Sequence, residues 1–281
     1  MIPRRFGFAL TAAVGLGCAA PQRGEVVEAG VARAQFEVRA RGTDLIRTTA
    51  LFPADDVGAP RGEGLPGVVF VQGGFVSTTR YEWQAIALAK AGYVVVLPEH
   101  PLNLAFFAID SGASARELLL RPPAGSVLDG LVDPGRLAVI GHSLGSGVAV
   151  KLALQGGFGA VVMEAGFPDS ADTNQLTTFG KPSLSLAGSL DCSARLEAVT
   201  KGWGNFPQAT ALSVLEGVTH YQFTDAEAED RKSGCLPGVE LAVAHARIAE
   251  SLVVFLSAAL ADGTVDQRGL QRVAGATVEV R

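Results

Sequence analysis

The stretch Leu137-Ala138-Val139-Ile140-Gly141-His142-Ser143-Leu144-Gly145 decides the fold of this chain. Its first four residues are apolar and predict a buried strand, and residues 145–155 carry apolar side chains at a spacing that indicates a buried helix. A Gly-x-Ser-x-Gly sequence between a strand and a helix holds the serine on a sharp, strained turn with its hydroxyl exposed. Glycines flank the serine because larger side chains would crowd the turn. Ser143 is therefore the candidate nucleophile.

Short apolar runs bounded by turn residues extend on both sides of this stretch. Residues 35–41 and 45–52 alternate around a Gly-Thr-Asp turn and predict an antiparallel hairpin. Strands are predicted at 68–71, 93–97, 137–140, 160–163, 183–186 and 212–215, and helices near 81–91, 145–155 and 239–260. This alternation predicts an α/β fold with a mostly parallel, doubly wound sheet and helices on both faces. Ligands of such sheets bind beyond the carboxyl ends of the strands, so the chemistry is expected there.

Length and composition limit the class of protein. The chain has 281 residues, of which 48% are hydrophobic, and this favours one large domain at residues 31–262. Residues 21–30 are predicted to be a tether and residues 263–281 a C-terminal extension. The net charge is −5 and the basic residues form no cluster, so nucleic acid is not expected as a partner.

Residues 1–20 are predicted to be a signal peptide. Two arginines precede an apolar stretch at residues 6–17, and the small residues Cys18-Ala19-Ala20 follow. Leu16-Gly17-Cys18 resembles the end of a bacterial lipoprotein signal, in which the cysteine is lipidated; ordinary cleavage after Ala20 is the alternative. The protein is thus expected to be exported to the periplasm or the medium. Lipidation of Cys18 would attach it to a bacterial membrane.

Export changes the interpretation of the cysteines. If Cys18 belongs to the signal, Cys192 and Cys235 remain as one pair in an oxidising compartment, and a disulfide is predicted. The alternative is two free, buried thiols.

A serine nucleophile needs a base, and the base needs an acid that orients it. Among four histidines, His220 is the candidate base because it lies in a loop directly after the run that ends at Leu215. Asp191 follows another predicted strand and is the candidate acid, with Glu164 as its rival at the end of a third strand. The chain order serine, aspartate, histidine favours Asp191.

The oxyanion formed on the attacked carbonyl needs preorganised donors, usually two backbone N–H groups. One candidate is the amide of Leu144, which follows the nucleophile. The second is the amide of Phe75, because Gln72-Gly73-Gly74-Phe75 follows a predicted strand and its two glycines permit close approach of the backbone to a substrate. Gly74, His142, Phe106 and Trp203 are the candidate substrate-binding residues.

These motifs together resemble the α/β-hydrolase superfamily, and more closely its chlorophyllase, dienelactone-hydrolase and cutinase-like branch. The resemblance rests on residues 69–101, the Ser143 turn, the sequence Gly188-Ser189-Leu190-Asp191 and the sequence from Gly217 to Phe223. Gln72 stands where many members have His, and Ser146 where Gly is frequent.

The resemblance implies hydrolysis of a small-molecule or polymeric ester through an acyl-enzyme, with no metal and no organic cofactor. Two alternatives remain open. The same three residues would also serve an amide or thioester hydrolase, and a hydrolase-like fold can act as a catalytically inactive binding protein.

Overall fold

One ten-stranded sheet organises the chain in the computed structural model, which describes residues 20–40, 44–100 and 108–281. Its strands lie side by side in the order β1-β2-β3-β5-β4-β6-β7-β8-β9-β10. In chain order they are β1 Glu25–Glu28, β2 Val31–Arg39, β3 Leu45–Pro53, β4 Leu65–Val71, β5 Val94–Pro98, β6 Val132–His142, β7 Ala160–Glu164, β8 Ser183–Gly188, β9 Thr210–Leu215 and β10 Ala276–Val280.

The central strands from β5 to β9 run parallel to one another. Their side chains are buried on both faces, which explains why β5 and β7 are near-continuous apolar runs, and the serines that alternate with leucines in β8 are buried as well. The strands β1, β2 and β3 pair antiparallel and join this array through β5. The predicted mostly parallel sheet with an N-terminal antiparallel hairpin is confirmed.

Helices cover both faces of the sheet. They are α1 Glu82–Lys90, α2 Ala108–Leu120, α3 Leu144–Leu154, α4 Thr173–Leu176, α5 Leu196–Trp203, α6 Ala228–Lys232, α7 Leu241–Ala261 and α8 Gln267–Arg272. Buried side chains of α1, α7 and α8 form one core with the sheet, and those of α2, α3 and α4 form the other. Both faces of the parallel strands are thus removed from water.

The longest helix, α7, is the one helix in the described residues that is long and apolar enough to cross a membrane by length and composition. Its residues Ala244, Ile248, Leu252 and Phe255 are fully buried in the core that α7 shares with the sheet. This spacing is the apolar stripe of a core helix.

The ends of the sheet differ from the sequence prediction. Residues 25–28, placed by the sequence in a tether, form the edge strand β1. Residues 263–281, predicted to be an extension, contain α8 and the strand β10, which pairs antiparallel with β9. Both segments therefore complete the sheet. The partner of β10, β9, is the strand that leads into the loop of His220.

Candidate active site

Three side chains from different loops meet at the carboxyl edge of the parallel strands. Ser143 follows β6, Asp191 lies beyond β8 and His220 lies beyond β9. The Nε2 atom of His220 is 3.1 Å from the Ser143 Oγ, and its Nδ1 atom is 2.8 Å from an Asp191 carboxylate oxygen. The Asp191 oxygen accepts a hydrogen bond from the Nδ1–H, which leaves Nε2 free to accept one from the serine hydroxyl. The structure brings together the three residues that the sequence placed at strand ends.

The turn at Ser143 is strained, and its glycines make it possible. Ser143 has φ 54° and ψ −123°, which is rare for a residue with a side chain. A Cβ atom at Gly141 would lie 2.1 Å from the Gly145 carbonyl oxygen, and one at Gly145 would lie 2.5 Å from the Gln72 carbonyl oxygen. The Ser143 N–H donates to the carbonyl oxygen of Glu164 at 2.8 Å, which holds the strained residue in place.

Asp191, rather than its rival Glu164, contacts the imidazole. One Asp191 carboxylate oxygen accepts the N–H groups of Ser193 at 2.8 Å and Ala194 at 2.7 Å, so the other oxygen is directed at His220. The Glu164 carboxyl is fully buried and accepts a hydrogen bond from the Gln84 Nε2 at 3.1 Å. Burial raises the pKa of Glu164 to about 8. Glu164 is thus predominantly neutral at pH 7, whereas stabilising an imidazolium requires an ionised carboxylate.

The loop after β4 packs directly on the serine turn. Phe75 has a positive φ of 61°, and Leu144 is the first residue of α3, a position whose N–H has no acceptor within the helix. A Cβ atom on Gly74 would lie 2.6 Å from the Leu144 side chain, and one on Gly73 would lie 2.8 Å from the His142 ring. The two predicted oxyanion donors therefore belong to segments in close contact, and a side chain at Gly73 would clash with the buried His142 ring.

His142 was predicted to bind substrate, and this prediction is wrong. Its side chain has no solvent exposure, because it packs between the rings of Tyr81, Phe223 and His220, the last 4.8 Å away. The Tyr81 hydroxyl accepts the Gly73 N–H at 2.9 Å and so donates its own proton to the His142 Nδ1 at 2.9 Å. The His142 Nε2–H then donates to the His220 carbonyl at 3.3 Å. Burial lowers the pKa of His142 well below its usual value, and the neighbouring His220 lowers it further. The His142 ring is therefore neutral.

Comparison with known proteins agrees with this geometry. A model of the alpha/beta hydrolase family matches residues 67–233, which is more than half of the chain. The chain belongs to the alpha/beta hydrolase family.

Two curated relatives of this hydrolase are chlorophyllases. The chloroplastic chlorophyllase-1 of Citrus sinensis is 29% identical over 170 residues, which cover 58% of this chain and 50% of that protein. The chloroplastic chlorophyllase-1 of Citrus unshiu is 28% identical over 161 residues, 56% of this chain and 48% of that protein. The chain thus spans about half the length of the curated relatives it matches. The predicted likeness to the chlorophyllase branch is confirmed.

A cavity of about 840 Å³ opens beside Ser143 and His220 of this hydrolase. Its walls are residues of α3, the loop at residues 165–170 and the face of α5 that carries Ala198, Lys201 and Gly202. Ala198 and Gly202 lie one turn apart on this face and carry small side chains, whereas Lys201 contributes a long polar one. No motif in the sequence marked this wall.

Two further predictions about substrate binding have different outcomes. Trp203 is only 3% exposed, because it turns away from the cavity, packs against Val199 and Leu212, and lies under the guanidinium of Arg281 at 4.1 Å. The prediction that Trp203 binds substrate is therefore wrong. Phe106 lies outside the described residues.

Cys192 and Cys235 form the predicted disulfide, with their Cα atoms 6.0 Å apart. Sequence reasoning missed the buried carboxylate close to this bridge, Asp230 in α6. One of its oxygens accepts hydrogen bonds from the Thr219 hydroxyl and from the Tyr221 N–H, both at 2.8 Å. No pattern in the sequence marks Asp230, because α6 is a single short turn without apolar periodicity.

Within the described residues, no group of three or more His, Cys, Asp or Glu side chains is placed to hold a metal ion.

Proposed function

We propose that this protein is a serine hydrolase that cleaves carboxylic esters through an acyl-enzyme. The observation that carries the proposal is the hydrogen-bonded chain from Ser143 through His220 to Asp191, with distances of 3.1 and 2.8 Å. Membership of the alpha/beta hydrolase family and similarity to chlorophyllases support hydrolysis as the reaction type.

In the proposed mechanism the Ser143 Oγ attacks the ester carbonyl carbon while the His220 Nε2 takes the hydroxyl proton. Asp191 stabilises the imidazolium that forms. The negative oxygen of the tetrahedral intermediate is bound by the N–H groups of Phe75 and Leu144. His220 then protonates the departing alcohol, and in the second half of the cycle it activates a water that hydrolyses the acyl-serine.

The surroundings of Ser143 support an ester with a bulky apolar part. Phe75 is 78% exposed, Leu144 62% and Phe167 43%, and the last two line the cavity. Large apolar side chains grouped at a cleft mark a binding surface. The curated relatives are named for chlorophyll, a large apolar molecule that carries a carboxylic ester, and this favours an ester over an amide or a thioester.

Export is part of the proposal. The disulfide between Cys192 and Cys235 is consistent with an oxidising compartment. The signal segment and Cys18 lie outside the described residues. Mass spectrometry of the mature N-terminus in a bacterial host tests the processing: a lipid on Cys18 supports anchoring, an unmodified Pro21 at the N-terminus supports simple cleavage, and retention of Met1 contradicts export.

The central test uses the chain from Pro21 onward. We expect hydrolysis of p-nitrophenyl esters and covalent labelling by a fluorophosphonate, and loss of both in Ser143→Ala. Ser170→Ala is the matched control, because Ser170 also lines the cavity but has no contact with His220. p-Nitroanilides with the same acyl groups test the amide alternative. A folded wild-type protein that resists the fluorophosphonate, or labelling that survives in Ser143→Ala, would contradict the proposed function.

A further inference from the structure

His220 is held in place through its two neighbours in the chain. The preceding residue, Thr219, donates its hydroxyl to an Asp230 carboxylate oxygen, and the following residue, Tyr221, donates its backbone N–H to the same oxygen. Both distances are 2.8 Å, and Asp230 is only 1% exposed. A buried carboxyl oxygen that accepts two short hydrogen bonds is a rigid anchor, because breaking either bond leaves a buried polar group without its partner.

The segment that carries Asp230 is itself fixed to the loop of the acid. The Cys235 N–H donates to the Asp230 carbonyl at 2.9 Å, and Cys235 is bridged to Cys192, the residue directly after Asp191. A continuous path therefore runs from Asp191 through the disulfide and Asp230 to both neighbours of His220. It spans the same two loops that the hydrogen bond between His220 and Asp191 joins.

We propose that Asp230 is a positioning residue of this site, which sets the place of His220 relative to Asp191 and Ser143 while it contacts neither substrate nor imidazole. This inference rests on the proposed function. Asp230 acts through geometry: its contacts are to the Thr219 hydroxyl and to a backbone amide, and a neutral oxygen in the same place would accept both bonds.

The choice of variants follows from that distinction. Asp230→Asn keeps an acceptor oxygen and removes the charge, whereas Asp230→Ala removes the acceptor. Glu229→Ala is the matched control, because Glu229 precedes Asp230 in α6 and its side chain pairs only with exposed Lys232 among the described residues.

With p-nitrophenyl ester as substrate, we expect Asp230→Ala to lower kcat about 10- to 100-fold, the range that a misplacement of about 1 Å causes. The KM should stay within about twofold of the wild-type value, because the cavity walls are untouched, and Asp230→Asn should keep kcat within about threefold. Glu229→Ala should behave as wild type. Equal kcat in Asp230→Ala and wild type overturns the proposal, and so does an equal loss in Asp230→Ala and Asp230→Asn, which would assign the effect to charge.

A second measurement does not depend on turnover. The proton shared by the His220 Nδ1 and Asp191 in a short, charge-assisted hydrogen bond gives a downfield proton NMR signal. We expect this signal in wild type and Asp230→Asn, and its broadening or loss in Asp230→Ala. If wild type hydrolyses no ester and this pattern is still seen, the proposed function fails and the positioning role stands. An unchanged signal in folded Asp230→Ala overturns the role.

Thr219→Val covers the case in which Asp230→Ala does not fold. The valine keeps the size of the side chain and removes the hydroxyl that donates to Asp230. We expect a fall in kcat of about three- to tenfold, smaller than in Asp230→Ala, because the Tyr221 N–H still donates to Asp230. A wild-type kcat in Thr219→Val then counts against the proposal.

Discussion

Replacing Glu164 by glutamine should make the protein more stable, by a margin that grows as the pH rises. The carboxyl is fully buried, and its pKa is raised from an ordinary 4.5 to about 8, chiefly by burial. Between these two values the folded chain keeps the proton that the unfolded chain has already released. The unfolded state then binds fewer protons than the folded state, so stability falls with increasing pH.

The size of the effect follows from the two pKa values. Each unit of difference between the folded and unfolded pKa corresponds to about 1.4 kcal/mol. The raised pKa of Glu164 therefore lowers the unfolding free energy of the wild type by about 3 kcal/mol at pH 7 and by about 5 kcal/mol above pH 8. A glutamine does not ionise, and its oxygen still accepts the hydrogen bond from Gln84. The difference in unfolding free energy between Glu164→Gln and wild type should therefore exceed its value at pH 4.5 by about these amounts.

Denaturant unfolding followed by circular dichroism at pH 5, 7 and 9 measures this margin, with the disulfide kept oxidised. The difference in unfolding free energy between Glu164→Gln and wild type should widen by about 4 kcal/mol from pH 5 to pH 9. A constant difference across this range would refute the reasoning. Ester hydrolysis by the variant should stay close to wild type, because Glu164 does not contact His220, and a loss of several orders of magnitude would return the role of the acid to it.

Three further predictions concern the site directly. Asp191→Asn should lower kcat about 10³- to 10⁴-fold, because the amide favours the wrong tautomer of His220; Glu164→Gln is its matched control, and near-normal turnover would exclude Asp191 as the acid. Reduction of the disulfide between Cys192 and Cys235 should lower ester hydrolysis at denaturant concentrations where circular dichroism still shows the folded chain, although the bridge contributes up to about 4 kcal/mol to stability. The double serine variant should show the same loss without reductant, whereas simultaneous loss of activity and fold would show that the bridge has no separate effect on the active site. Phe75→Ala should raise the KM for long-chain p-nitrophenyl esters about tenfold, the worth of burying one aromatic side chain at about 1.5 kcal/mol, and leave the acetyl ester unaffected; an equal change for both esters would show that the side chain does not contact the acyl group.

The chemistry-bearing residues were accessible to sequence reasoning because they obey local rules. The glycines at 141 and 145 are required by contacts within a few residues and with one neighbouring loop, so the motif carries its own geometry. Asp191 and His220 each follow a short apolar run, and the carboxyl ends of parallel strands meet at one edge of the sheet. The disulfide followed from the number of cysteines once Cys18 was assigned to the signal.

The errors have a different physical origin. His142 was proposed as the neighbour of Ser143 and Trp203 as a bulky apolar residue, but side-chain direction at the turn and on α5 decides burial, and neither direction is fixed by composition. The strand at Ala276–Val280 could have been found, because its apolar residues alternate with Thr277 and Glu279 at a period of two. Asp230 could not have been found, because its proposed positioning role depends on where a five-residue helix lies relative to the loop of His220.

The main chain around His220 is held by side chains from several elements. The His142 Nε2–H donates to the His220 carbonyl, and Asp230 accepts from the residues on either side. The Gln84 Nε2 donates both to Glu164 and to the carbonyl oxygen of Phe223, the last residue of a short 3-10 helix at His220–Phe223. Burying polar side chains is costly unless they are hydrogen-bonded, and His142, Asp230 and Gln84 each bond to the backbone of this segment. Adjustment to substrates of different shape is therefore expected in the walls of the cavity, where small side chains and exposed apolar groups leave freedom, while the base stays fixed.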